Sequence, residues 1–246
     1  MKVDGRHIGR LVFIRSQRDE VVLFDASSED AAHEWLLERF KNDLKIAFIA
    51  TVINTAIKGN VGEASTLLIG IENDFKDLMP FAANAWGPTL AISRPEMDIV
   101  WVDLDEDTGA DRIYLQEVKT TGREGLSIAD GLVSDYRKLF WDDVTVTLQT
   151  RLQSIECKLR FEHKDVESAK RIGSIIEEIR SPQTAVGVYL VPTIFHGTNQ
   201  RDAIIKLLAI RTSLESLGWP VAAIQPWTIL LENIDSHIDR LAKGVS

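Results

Sequence analysis

The chain has 246 residues, 45% of them apolar and 26% charged, which is the composition of an ordinary globular protein and excludes a collagen-like, fibrous or disordered chain. Its 28 Lys and Arg residues against 37 Asp and Glu residues give a net charge of −9. This surplus of acid argues against a protein that holds nucleic acid by general electrostatic attraction. Any nucleic-acid function would need a local basic surface or a partner.

The length also limits the number of domains. At roughly 150 residues per domain, the chain has room for one or two. No linker rich in Pro, Gly and Ser interrupts it, so we expect a single α/β domain over residues 1–246 and keep two domains as the alternative.

The apolar segments and the cysteine content bear on the cellular compartment. The longest apolar stretch, residues 46–57, carries Thr51, Asn54 and Thr55 and falls short of the roughly 18 apolar residues that a bilayer span needs. The first ten residues lack the apolar core of a signal peptide. The single cysteine, Cys157, has no second cysteine with which to form a disulfide or a zinc site. We therefore expect a cytoplasmic protein.

Apolar runs and helical spacing predict the elements of the first third of the chain. Residues 11–15 and 21–24 alternate or run apolar and predict a small hairpin within residues 1–25. Three helices should follow, from Ser27 to about Phe40, over about 43–57, and from Asn60 to about Leu78, where Pro80 would stop the last one.

The rest of the chain alternates strands with helices. We predict strands at 97–104 and 112–119, joined by an acidic turn, and a buried strand at 185–194. Helices are predicted over about 127–140, around Val144 to Leu159, over 165–180 and over 200–217. The segment after Gly218 is either a strand plus a helix or a capping segment. The three strands should share one mixed sheet, flanked by the helix from Asn60 and the helix at 127–140.

Common catalytic motifs are missing from this sequence. It contains no G-x-S-x-G, no G-x-x-x-x-G-K-[ST], no G-x-G-x-x-G after a strand and no H-E-x-x-H. The five histidines are isolated from one another in sequence, and none is paired at a metal-ligand spacing. These absences leave the hairpin at 97–119 as the candidate site.

Alternation along the second strand of this hairpin places Glu117 and Lys119 on one face, beyond Ile113 and Leu115. Charged groups are costly beside a core unless they are paired or bind a metal. Asp98, at the start of the preceding strand, can lie opposite Glu117. Two carboxylates beside an ammonium group form a site suited to Mg²⁺ or Mn²⁺, with the lysine orienting or deprotonating a water molecule.

The acid-x-Lys spacing alone is weak evidence. It also occurs at Asp43-Leu44-Lys45, Asp74-Phe75-Lys76, Glu156-Cys157-Lys158 and Glu162-His163-Lys164. The first three are predicted on helices, where residues i and i+2 point apart, and the fourth in a polar connection. Only Glu117 and Lys119 are predicted on a strand that follows a strand carrying an Asp.

Three short segments resemble one enzyme superfamily. They are Gly62-Glu63 near the start of a helix, Pro95-Glu96-Met97-Asp98 at the head of a strand, and Gln116-Glu117-Val118-Lys119 at the end of the next strand. With the following helix and apolar strand they resemble the PD-(D/E)xK nucleases, over roughly residues 60–195. One departure is that Pro95 stands three residues before Asp98 instead of directly beside it.

The resemblance implies a restriction-endonuclease-like fold, in which a mixed sheet is flanked by helices, and a Mg²⁺-dependent or Mn²⁺-dependent (endo)nuclease acting on DNA. It implies that Asp98 and Glu117 bind the metal, with the Val118 carbonyl as a third ligand. It implies that Lys119 positions or activates water, and that Glu63 acts through water or from behind the ligands.

A narrower resemblance concerns the setting of such a nuclease. The Gly-Glu helix and the strand ending in Glu-x-Lys, in a small chain with several flanking helices, look like the nuclease subunit of Hachiman-type bacterial anti-phage systems. That subunit acts beside a helicase. A net charge of −9 suits a nuclease whose DNA is delivered by a partner.

Less specific interpretations remain open at this point. Glu117 and Lys119 could be an exposed strand pair, Asp98 a strand-start cap, and Glu63 the third position of a capping box that begins at Asn60. The whole chain could be a catalytically decayed module of the same fold that binds nucleic acid or a protein. Four tryptophans are expected to be core or interface residues and not base-stacking platforms, namely Trp86, Trp101, Trp219 and Trp227.

Overall fold

Strands and helices alternate along most of the chain in the computed structural model, which describes residues 12–44, 55–82, 97–104, 110–122, 125–140 and 148–245. The strands are β1 (Phe13–Arg18), β2 (Val21–Ala26), β3 (Met79–Ala82), β4 (Ile99–Asp103), β5 (Arg112–Thr121), β6 (Val188–His196) and β7 (Trp227–Leu230). The helices are α1 (Glu29–Arg39), α2 (Thr55–Glu72), α3 (Gly131–Arg137), α4 (Leu148–Phe161), α5 (Val166–Glu178), α6 (Gln200–Ser216) and α7 (Ile234–Val245).

All seven strands belong to one mixed sheet, in the order β1-β2-β7-β6-β5-β4-β3. β2, β7, β6 and β5 run parallel to one another. The other three pairings are antiparallel, namely β1 with β2, β4 with β5, and β3 with β4. The predictions of an α/β fold, an N-terminal hairpin and one mixed sheet holding β4, β5 and β6 are thus confirmed. The hairpin is an edge of the main sheet and not an attachment to it.

The two faces of the sheet carry separate apolar cores, and alternation along β5 decides which residue enters which core. Tyr114 and Val118 face a core that includes α1, α2 and α7. Ile113 and Leu115 face a second core that includes α3, α4, α5 and α6. The candidate site lies on the second of these faces.

The segment predicted as two helices meeting at Gly59 contains one helix instead. α2 begins at Thr55 and continues through Gly59 and Asn60 to Glu72, so the predicted helix end and the predicted N-cap at Asn60 are wrong. A glycine in a helix costs only about 1 kcal/mol, and the buried stripe of Val61, Ala64, Leu67 and Leu68 outweighs it. Most of the predicted helix over 43–57, residues 45–54, lies outside the described residues.

Helix α2 also ends earlier than predicted, at Glu72 instead of near Leu78. The Asn73 side-chain amide donates to the Ile69 carbonyl at 2.7 Å, and the chain then turns into β3. β3 was not predicted, because its four residues include Pro80, which cannot donate a backbone hydrogen bond. The strand pairs only with β4, at an edge where a proline is tolerated.

Other helices follow the predictions closely. The helix expected over 127–140 is a 3₁₀ turn at Ser127–Asp130 followed by α3. α5 and α6 begin at side-chain N-caps, Asp165 and Asn199. α4 covers most of the predicted helix around Val144 to Leu159, although Val144 itself lies outside the described residues.

The C-terminal segment forms a strand and a helix, the first of the two alternatives. β7 inserts between β2 and β6, and α7 packs on the face that also carries α1 and α2. Trp101, Trp219 and Trp227 are buried, as expected, and Trp86 lies outside the described residues. None of the helices described is both long and apolar enough to cross a bilayer.

Candidate active site

The pairing of β4 with β5 brings two carboxyl groups together. Ile99 lies opposite Gln116, so Asp98, one residue before β4, lies beside Glu117. The backbone N–H of Val118 donates to Asp98 Oδ2 at 2.7 Å, and the Asp98 and Glu117 carboxyl groups are hydrogen-bonded to each other. The juxtaposition expected from the hairpin is therefore present.

These two carboxyl groups lie where the charged form of an acid is unfavourable. Burial, and then the charge of Glu117, raises the pKa of Asp98 well above its usual range. Burial also raises the pKa of Glu117 to about 7, although Lys119 and Arg151 act in the opposite direction. Glu117 is only 5% exposed, so the interpretation of Glu117 and Lys119 as an exposed strand pair is wrong. Burial is the largest cause of both shifts, so the site disfavours two ionised carboxyl groups side by side.

Lys119 adds a positive charge to the pair. Its ammonium Nζ lies 3.9 Å from Glu117 Oε2 and 2.6 Å from Asp135 Oδ2, so its closer partner is on α3. Burial opposes the charge on Lys119, but the carboxylates of Glu117 and Asp135 outweigh it and raise its pKa. Lys119 is thus protonated at neutral pH.

Tyr136, the residue after Asp135, fixes α3 to the main chain of β5. The Glu117 N–H donates to the Tyr136 hydroxyl at 3.2 Å, and the hydroxyl donates to the Leu115 carbonyl at 3.0 Å. Tyr136 is fully buried, which favours a hydroxyl that has both a donor and an acceptor as partners. This contact sets the height of α3 along β5 and therefore the position of Asp135 relative to Lys119.

The orientation of Val118 bears on its predicted ligand role. Because the N–H and C=O of one strand residue point towards the same neighbouring strand, the Val118 carbonyl points to the side on which its N–H meets Asp98. β4 begins at Ile99, so no residue of β4 lies opposite Val118. The Val118 carbonyl thus points to the β4 side of β5, the side from which Asp98 approaches.

Arg151 of α4 is a further cation near Glu117, and the sequence did not reveal it. Its charge acts to lower the pKa of Glu117. Its Nε and Nη1 atoms are buried without a hydrogen-bond partner in the structure. Unpaired buried donors are costly, so this guanidinium adds electrostatic attraction to the site without a full set of hydrogen bonds.

Glu63 is the predicted site residue that the described contacts do not bring to the other three. Glu63 lies on α2. The residue before it, Gly62, packs against Thr120, which lies on the face of β5 opposite to Glu117 and Lys119. The interactions described for Asp98, Glu117 and Lys119 involve α3, α4 and one another. Because Asn60 is inside α2, the capping-box interpretation of Glu63 is wrong.

The other acid-x-Lys segments lack this arrangement where the structure describes them. Asp74 lies in the turn after α2, not on a helix as predicted, and pairs with Arg15. Glu156 pairs with Arg160 along α4 at 2.6 Å. Glu162 lies in the exposed connection between α4 and α5, as predicted, and Lys45 lies outside the described residues. None of them has a second carboxyl group supplied by a neighbouring strand.

The donor set fits a hard divalent cation in its chemistry. Asp98, Glu117 and the Val118 carbonyl offer oxygen atoms, which Mg²⁺ and Mn²⁺ prefer, and two crowded carboxyl groups favour a cation between them. The set contains only two acidic side chains. Within the described residues there is no cluster of three or more His, Cys, Asp or Glu side chains arranged to hold a metal. Water would have to complete the coordination of any such ion.

Sequence reasoning missed Asp135, Tyr136 and Arg151. All three lie on helices whose apolar stripes were recognised, at positions that local spacing does not distinguish from ordinary polar surface. Their relation to β5 depends on how α3 and α4 dock on the sheet.

No protein-family model matches the chain, and no curated protein matches it.

Proposed function

We propose that the chain is a metal-dependent nuclease that hydrolyses phosphodiester bonds in DNA. The observation that carries the proposal is the hydrogen-bonded pair of Asp98, just before β4, and Glu117, within β5, with the Lys119 ammonium 3.9 Å from Glu117. Two carboxyl groups that repel each other when ionised, beside a protonated lysine, suit the binding of a divalent cation next to an oriented water molecule.

The proposed fold is restriction-endonuclease-like. In its support, α2, three antiparallel strands, the helices α3, α4 and α5, and the parallel strand β6 follow one another along the chain, and the candidate residues lie at the β4–β5 pair. This order contains the segments on which the resemblance to PD-(D/E)xK nucleases rests, with β3, α4 and α5 as additional elements.

Each residue has a specific task in the proposed reaction. Asp98, Glu117 and the Val118 carbonyl would hold Mg²⁺ or Mn²⁺, which supplies Lewis-acid stabilisation of charge on the phosphoryl oxygens. Lys119 would position or activate the attacking water from its place beside Glu117. Glu63 is retained from the resemblance as a residue that would act through water or from behind the ligands.

A partner is part of the proposal. With a net charge of −9, the chain has no general attraction for duplex DNA, so we propose that a helicase delivers the substrate. The setting would be bacterial anti-phage defence of the Hachiman type, in the cytoplasm. The purified chain alone should bind duplex DNA weakly at about 200 mM salt, and tight binding under those conditions would count against the need for a partner.

The activity test is plasmid nicking with Mg²⁺ or Mn²⁺, with the chain alone and with its partner supplied. Glu117→Gln and Lys119→Met should each lower the rate by at least about 100-fold, since one removes a metal ligand and the other the group that orients water. Glu162→Gln and Lys164→Gln are matched controls from an exposed acid-x-Lys segment and should leave the rate unchanged.

Two outcomes would contradict the mechanism. Nicking in the presence of EDTA would show that the reaction needs no metal. Undiminished nicking by either site variant would show that the substituted residue does not have the proposed role. The competing function is a catalytically decayed module of the same fold that only binds nucleic acid or a protein. Calorimetry with Mn²⁺ separates the two, because only an intact carboxylate pair should bind the ion.

A further inference from the structure

The lysine of the candidate site is held by a residue outside the recognised motif. Lys119 Nζ lies 2.6 Å from Asp135 Oδ2 but 3.9 Å from Glu117 Oε2. Hydrogen bonds between an ammonium and a carboxylate lie near 2.7–2.9 Å, so the contact with Asp135 is a direct charge-assisted hydrogen bond and the contact with Glu117 is not.

Asp135 is itself held in place from two directions. Its other oxygen, Oδ1, accepts from Lys138 Nζ at 2.7 Å. The next residue, Tyr136, connects α3 to the main chain of β5 through Leu115 and Glu117. The carboxylate that meets Lys119 is thus fixed to the same strand that carries Lys119.

The stem of Lys119 is confined as well. A Cβ placed on Gly131, in the first turn of α3, would lie only 3.3 Å from Lys119 Cε. The side chain of Lys119 therefore runs closely past the start of α3 and ends at Asp135, one turn later. A long, flexible side chain loses much rotamer freedom in such a contact, and only a strong partner compensates for that loss.

We propose that Asp135 is a positioning residue, which holds the Lys119 ammonium at a fixed point beside the Asp98–Glu117 pair. This inference rests on the proposed function for its effect on catalysis. It extends the site by one residue on α3 and gives that helix a task beyond packing. Asp135 does not bind the metal, because both of its oxygens are engaged by lysines.

The first measurement does not depend on activity. NMR relaxation of the lysine ε-methylene groups, with the Lys119 signal assigned through Lys119→Arg, reports the order of that side chain. Lys119 should be rigid in the unmodified protein and mobile in Asp135→Asn. It should stay rigid in Asp77→Asn, a matched change at an aspartate whose side chain is 85% exposed. An equally rigid Lys119 in Asp135→Asn would overturn the proposal.

The second measurement is the single-turnover nicking rate at saturating DNA with its partner present. Asp135→Asn should lower this rate about 10- to 100-fold while Mn²⁺ affinity by calorimetry stays within about twofold, because a misplaced group slows the reaction without removing a ligand. Asp135→Glu, which keeps the charge, should recover most of the loss. In the Lys119→Met background, Asp135→Asn should have no further effect, because the two residues act as a unit.

The outcomes separate this inference from the proposed function. If the unmodified protein shows no metal-dependent nicking, the nuclease proposal fails and the NMR comparison still decides the positioning. If nicking occurs and Asp135→Asn leaves its rate unchanged, or lowers the rate equally in the Lys119→Met background, the positioning proposal fails while the nuclease proposal stands.

Discussion

Glu117 is a residue whose local environment works against the stability of the protein. Its carboxyl group is buried beside a second carboxyl group, that of Asp98, and burial raises its pKa to about 7. In the unfolded chain the group ionises near its ordinary value of 4.5. The folded state therefore binds more protons between these values, and the stability gained at low pH is lost as the pH rises through about 7.

We expect Glu117→Gln to raise the free energy of unfolding by about 3 kcal/mol at pH 8 in EDTA, since the pKa rises from 4.5 to about 7 and one pKa unit corresponds to 1.36 kcal/mol. The pKa of about 7 already includes the attraction of Lys119 and Arg151. Urea unfolding should show this difference at pH 8 and only about a quarter of it at pH 5, where the unfolded carboxyl group is mostly ionised and the folded one is not. Glu162→Gln is the exposed control. A destabilised Glu117→Gln at pH 8 would instead identify Glu117 as a structural ion-pair partner.

The central part of the site was predictable because it depends on strand geometry alone. Alternation placed Glu117 and Lys119 on one face, and antiparallel pairing placed Asp98 beside Glu117. Asp135 and Arg151 were not predictable, because side chains on separate helices meet β5 only after those helices dock. The sequence placed Glu117 beside a core and left an exposed pair open, and the structure decides for burial.

At the level of the elements, α2 packs closely on β5, the strand that carries the site. A Cβ on Gly62 would lie 2.9 Å from the Thr120 Cβ and closer still to its hydroxyl. The sequence suggested a helix boundary at Gly59, but α2 continues through it. In the structure, Gly62 allows the helix to lie against the strand.

Gly62→Ala should lower the free energy of unfolding by about 1–3 kcal/mol, because the added methyl overpacks the contact with Thr120. Gly59→Ala, one turn earlier in the same helix, is the matched control. Its Cβ would meet only the Glu63 carboxylate, at 3.9 Å, so helix propensity should make this variant about 0.5–1 kcal/mol more stable. Thermal or urea unfolding of both variants gives the comparison, and equal effects would show that α2 does not approach β5 so closely.

On the scale of the whole molecule, the N-terminal elements β2 and α1 contact the C-terminal elements β7 and α7. β2 pairs with β7, and α1 contacts α7 through His33 and His237, whose Nδ1 atoms are 3.2 Å apart. Burial lowers the pKa of His33, and burial followed by the charges of His33 and Arg240 lowers the pKa of His237 to about 3. Asp30 and Glu34 act in the opposite direction on His33. This junction is built for neutral imidazoles.

Stability should therefore fall as the pH drops below about 6.5, where the unfolded histidines take up protons and the folded ones do not. The expected loss between pH 7.5 and 5.5 is about 1 kcal/mol for His237. His196, with a pKa lowered to about 4 by burial, contributes in the same direction. His237→Asn should reduce the loss of stability between pH 7.5 and 5.5, measured by urea unfolding, by about the contribution of one histidine. His163→Asn, at an exposed position, should leave it unchanged.

The strand order has a consequence for the synthesis of the protein on the ribosome. β2 has only β1 and β7 as neighbours, so the first hairpin cannot join the main sheet until residues 227–230 have emerged. Until then β6 presents an open edge to its surroundings, a surface that invites pairing with other chains. β4 and β5, whose pairing brings Asp98 and Glu117 together, can pair much earlier. The nascent chain thus completes the β4–β5 hairpin before it can close the sheet, and the last strand to appear is the one that joins β2 to β6.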